Sequence, residues 1–173
     1  MKTKILCAVL IYVNLSVFNL SCHKNQPQKE EDACSAYRSS NSTPCFNLNV
    51  NLKGKGTQSG FSKFRQDPDS ARIITLDTRI NHLVPRHEYL LQRAVDPINA
   101  VDGNCTSTTW LTLGRGLTAQ SILTDGNGNG TETLWRDISA IATGSTFDIH
   151  FQIIDATSMA VVLSSDCYQY TVR

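Results

Sequence analysis

The chain has 173 residues, with 16 Lys and Arg against 15 Asp and Glu and a formal net charge of +1. That length supports one domain with a sizeable core. Near-balance and the lack of any basic block exclude a nucleic-acid partner, which requires clustered Lys and Arg to displace counterions from phosphates.

The first segment reads as an export address. Lys2 and Lys4 precede a mostly apolar run from Ile5 to Leu20, interrupted by Asn14, Ser16 and Asn19, and Cys22 opens onto a polar stretch. A run this short and this broken is a signal rather than a membrane span. Leu20-Ser21-Cys22 resembles a bacterial lipoprotein signal with a loose, spirochaete-like lipobox; Asn19 stands where leucine is usual. The resemblance implies that residues 1–21 are removed and that Cys22 is lipidated. Residues 22–32 would then be a flexible tether, and 33–173 a single disulfide-stabilised domain. The mature part would hold 152 residues, 14 of them basic and 15 acidic. It would meet a membrane through acyl chains rather than a basic surface. The expected location is the bacterial cell envelope, on the outer membrane, with secretion as the alternative.

Cys7 lies inside the signal, which leaves Cys34, Cys45, Cys105 and Cys167 for the domain. An oxidising compartment favours bridges, and four cysteines allow three pairings. The simplest is a local clip between Cys34 and Cys45 with a long staple between Cys105 and Cys167. No C-x-x-C pair is present, so the spacing does not suit a compact zinc site.

The domain reads as strands and turns. Phe46, Leu48, Val50 and Leu52 alternate with asparagines, a half-buried strand. Gly54 and Gly56 turn the chain towards a return strand at 60–64. Residues 71–84 suit two strands or one bulged strand, closed by Pro85. Residues 87–95 favour a strand with Tyr89, Leu91 and Arg93 on one side. A loop from Asp96 to Thr108 follows. The run 109–113 breaks at Gly114-Arg115-Gly116, where the glycines suit a bulge or a close strand crossing, and resumes to Leu123. Asp125–Gly130 is a tight connection. Strands are expected over 131–138 and 147–153, and the last strand region over 159–172. Seven to nine short strands without a long helix predict an all-β fold. An antiparallel, broadly immunoglobulin-like β-sandwich is the first expectation and a small β-barrel the second.

Candidate sites are sparse. Asp125, Asn127 and Asn129 place oxygen donors at alternate positions, as a calcium loop does, but Arg136 stands where the bidentate Glu belongs. A hairpin turn is the simpler reading, with weak Ca2+ binding as the alternative. His82, His87, His150 and Asp148 are the candidates for a metal-dependent or serine hydrolase, yet no H-E-x-x-H or G-x-S-x-G supports one. Arg115 is a candidate recognition residue on a glycine-flanked loop. Tyr168 and Tyr170 alternate with Cys167 and Gln169 and suit either an exposed aromatic stripe for binding or packing over a sandwich edge. No residue is assigned a catalytic role. The leading expectation is a non-catalytic envelope lipoprotein with a binding or structural role, its loops contacting an envelope protein, a host molecule or a small ligand. A hydrolase and a calcium-stabilised adhesion module are the competing readings.

Overall fold

The computed structural model describes Cys34, residues 45–68 and residues 71–173. The segments expected to be signal and tether, with Cys22, lie outside the described residues. A meander opens the domain, with β1 (Leu48–Lys53), β2 (Ser59–Gln66) and β3 (Ile73–Asn81). β4 (Glu88–Val95) follows. Four short pieces come next, β5 (Leu111–Thr112), β6 (Gly114–Arg115), β7 (Thr118–Ala119) and β8 (Ser121–Leu123). The last third is β9 (Gly130–Asp137), β10 (Thr146–Asp155), β11 (Val161–Ser165) and β12 (Tyr168–Thr171).

Alternation explains the long strands. Leu48, Val50 and Leu52 are buried while Asn51 and Lys53 are exposed. Leu76, Thr78 and Ile80 of β3 point inwards, and Asp77 and Arg79 point out. β10 departs from this pattern because both its faces are covered: Phe147, Asp148, Ile149, Phe151, Gln152 and Ile153 are all buried.

The strands form one sheet in the order β5-β4-β10-β11-β1-β2-β3-β9-β6-β7, with β12 on β10 and β8 on β4. The sheet runs 307° round an axis, nearly a closed barrel. This corrects the expected immunoglobulin-like sandwich. A sandwich needs two sheets with a break in hydrogen bonding between them. Here β2, β3 and β9 pair continuously over eight residue pairs each, and β10 joins β4 to β11 without a break. The sheet is also mixed, since β6 meets β9 in parallel at Arg115 and Trp135. The count exceeds seven to nine strands because 111–123 splits into four pieces. β3 is one strand, not two.

The open line lies between β4 and β9. The chain 111–116 crosses it: the Leu113 amide donates to the Leu91 carbonyl on the β4 side, and the Gly116 amide to the Trp135 carbonyl on the β9 side. Inside, the Phe64 ring meets Phe151 and Tyr170 edge-on, and Phe147 also packs against Tyr170. Each such buried side chain contributes about 1.5–3 kcal/mol. The Ser62 and Thr78 hydroxyls pair at 3.0 Å within this interior. Tyr168 and Tyr170 belong to it as well, each only 1% exposed, so they form no surface stripe. Cys167 and Gln169 take the outer face instead.

Both bridges join the simplest pairs, Cys34–Cys45 and Cys105–Cys167. Cys34 also bonds through its backbone to Asn47 and Asn49 beside β1. The second bridge fastens residues 96–110 as a strap over the outer face of β10. Beneath the strap lies a polar layer. Asp148, fully buried, accepts from the amides of Asp102 and Gly103, and Asp96 accepts from those of Thr106 and Ser107. Trp110 stacks on His150 at 4.6 Å, and Gln92 pairs with Gln152 at 2.7 Å. Burial alone would raise the Asp96 carboxyl, but the Thr106 and Ser107 hydrogen bonds outweigh it and hold the group below its ordinary value.

Candidate functional site

An exposed, shaped surface surrounds the β6–β7 hairpin. Gly114 is required there because a Cβ would stand 1.9 Å from the Thr118 carbonyl oxygen. Gly116 takes a positive φ of 67°, and a Cβ on it would meet the Trp135 ring at 2.8 Å. These two glycines are the close crossing that the sequence suggested. They fold the hairpin tightly and seat the indole over its turn. Leu117 at the tip is 88% exposed and Trp135 39%.

Beside the hairpin runs an open groove of about 660 Å³, lined by Phe61, Lys63, Asp77, Arg79, Arg115 and Glu132 among others. Strand alternation puts Phe61, Lys63, Asp77 and Arg79 on the outer face of β2 and β3. Arg115 pairs with Glu132 at 2.6 Å, and Asp77 accepts from the Thr133 hydroxyl at 2.9 Å. Arg79 is exposed, and its side chain makes no hydrogen bond or ion pair among the described residues. The groove thus offers charge of both signs and one aromatic ring. Arg115 is the one sequence-predicted recognition residue placed here.

A second feature lies inside the barrel at its open line. Arg93 shares the inward face of β4 with Tyr89 and Leu91, and Arg136 that of β9 with Leu134. Both guanidiniums line one cavity whose other walls are apolar or aromatic, including Phe64, Leu113, Ile138 and Phe151. Desolvation, and then the charge of Arg136, hold the Arg93 guanidinium below its ordinary value.

The histidines do not converge. His82 bonds the Thr57 carbonyl through Nδ1, and its amide donates to Asn129 Oδ1. His87 Nε2 lies 2.7 Å from Asp155 Oδ2. Asp155 is lowered to about 2, first by the Ser158 amide, with the Thr157 amide and His87 adding to it against desolvation. A dyad of this kind needs a nucleophile. The neighbouring Thr124 hydroxyl instead bonds the Val84 and His87 carbonyls. His150 Nε2 binds the Ser107 carbonyl at 3.0 Å, so it does not pair with Asp148. Among the described residues no three His, Cys, Asp or Glu side chains gather as a metal would require.

The Asp125–Asn129 turn is occupied by its own backbone. Asp125 Oδ1 accepts from the amides of Asn127 and Asn129, which lower its carboxyl. With Asn129 Oδ1 turned to His82, the hairpin role accounts for the Asp and both Asn residues.

Comparison with protein families, curated proteins and solved structures returned no match. Sequence reading missed Arg79, Phe61 and Leu117, which no local pattern separates from ordinary surface. It also missed Arg93 and Arg136 as a pair. Strand phase offered a usable signal for them: each arginine sits two residues from an apolar neighbour on the inward side.

Proposed function

We propose that the chain is an exported, lipid-anchored, non-catalytic binding module of the bacterial cell envelope. It meets an envelope or host protein through the β6–β7 hairpin and the adjoining groove. The observation that carries this reading is the hairpin itself, which holds Leu117 out on a tightly crossed turn beside a groove of mixed charge. Single exposed leucines are common on protein surfaces. This one is fixed next to a half-exposed indole and paired charges, the mixture that partner contacts use. Separate partners for His82, His87 and His150 weigh against the hydrolase reading, and the self-occupied Asp125 turn weighs against calcium-stabilised adhesion.

The test is crosslinking in the native envelope, with a photoreactive phenylalanine analogue in place of Leu117 and, as control, of Met159, which is also exposed. A discrete adduct from position 117, lost when Arg79→Glu is added and weak at 159, supports the reading. No adduct, or equal adducts at both positions, refutes it. Intact mass of the membrane-extracted protein checks the anchor independently: residues 22–173 plus acyl groups are expected.

A further inference from the structure

We propose that the open line of the barrel is a binding site for a small monoanion, held between the guanidiniums of Arg93 and Arg136. The site is distinct from the hairpin surface and does not depend on it. β4 and β9 are the strands on either side of the break in the ring, and both arginines occupy inward positions on them. Two like charges facing one cavity repel each other, and partial burial costs Arg93 hydration as well, so a counter-charge between them is favoured.

The protein supplies none to Arg93. Among the described residues its guanidinium makes no hydrogen bond or ion pair, and no carboxylate lines the cavity. Arg136 has one hydrogen bond, from Nη1 to the Gly116 carbonyl at 3.3 Å. The carboxylate nearest it in sequence, Asp137, is exposed and accepts from the Ser139 amide at 2.7 Å. A third guanidinium, Arg72, bonds the carbonyls of Ser139 and Ile141 near the cavity wall, and its Nε is buried without a partner. Asp137 acts on the charges of Arg136 and Arg72 from outside the barrel, so the uncompensated charge at this end sits at Arg93.

The chemistry of the guest follows from the walls. The cavity is about 20 Å³, room for one water-sized group. A guanidinium donates in a planar fork suited to a carboxylate and equally to a compact halide. The other side-chain donor in the walls, the Tyr170 hydroxyl, is already given to Gln66 Oε1 at 2.6 Å, which disfavours sulfate or phosphate. The guest is therefore one compact monatomic negative charge, a halide such as chloride, because a carboxylate exceeds the space.

Thermal unfolding of the full chain in neutral detergent tests this. Chloride or butyrate replaces gluconate at constant ionic strength. A saturable rise in Tm with chloride but not with butyrate, weakened about tenfold or more in apparent affinity by Arg93→Gln or Arg136→Gln, supports the site. A saturable rise with butyrate refutes the compact guest. Arg93→Leu should raise Tm in gluconate and abolish the chloride response. If the variants fail to fold, the excess ³⁵Cl line width of the wild-type protein in chloride, unchanged by added butyrate, decides. No excess broadening together with no saturable Tm shift overturns the proposal, as does an equal shift in Arg93→Gln.

Discussion

Removing the Cys105–Cys167 bridge should be the most damaging covalent change to this domain. The bridged residues are 62 apart in sequence, against 11 for Cys34 and Cys45. In the chain-entropy model the longer loop is worth about 4 kcal/mol and the shorter about 3 kcal/mol. The structure adds a second reason for the order. The long bridge holds down the strap, and beneath it Asp148 and Asp96 depend on amides of residues 102, 103, 106 and 107. A loosened strap would weaken those bonds and admit water to the polar layer. Urea unfolding of Cys105→Ala/Cys167→Ala, compared with Cys34→Ala/Cys45→Ala and the parent, measures both costs. The expected result is a larger loss for the long bridge, with a higher m-value as the uncrosslinked chain expands. A loss below about 1 kcal/mol, or one smaller than that from the short bridge, would refute the reasoning.

Three further predictions concern single sites. Ser62→Ala leaves the Thr78 hydroxyl buried without its partner and should cost about 1–3 kcal/mol, while adding Thr78→Val should recover part of that loss in a double-mutant cycle by chemical denaturation. Asp155 titrates at about 2 in the folded protein against 3.8 ordinarily, so its contribution is present above about pH 4 and lost as pH falls towards 2. Urea midpoints over that window should fall more steeply in the parent than in Asp155→Asn, and parallel curves would count against the capping role. Gly114→Ala forces a Cβ against the Thr118 carbonyl, and amide exchange at 114–119 should accelerate while β1 to β3 keep their protection.

Most strands were legible because one face of each is buried and alternation reports it. Leu48, Val50 and Leu52 show this, as do Tyr89 and Leu91. The barrel was less legible, because inward alternation is identical whether the inner faces belong to two packed sheets or to one that curls. What distinguishes them is pairing between distant segments, such as Gln152 with Gln92, and no single sequence carries that. Tyr168 and Tyr170 illustrate the same limit: alternation with Cys167 and Gln169 defines two faces but not which is inside. The glycine pair at 114 and 116 was readable locally because the steric demand is local. Neither Arg79 in the groove nor the meeting of Arg93 with Arg136 was readable, since both depend on which strands become neighbours.

The position of β10 in the ring governs how the chain must fold. It is the strand that joins β4, β11 and β12, and it begins at Thr146. β1, β2 and β3 pair with one another as soon as they are made, but β1 awaits β11, β3 awaits β9 and β4 awaits β10. A chain synthesised from its N-terminus therefore carries Leu48, Val50, Phe64 and Leu91 on an uncovered face, with free strand edges, until the last third emerges. Ring closure is a late event between segments far apart in sequence, which makes folding slow relative to the local hairpins. During that interval unpaired edges are open to other chains, so a holding factor would protect this protein most before β11 is complete at Ser165 and least afterwards.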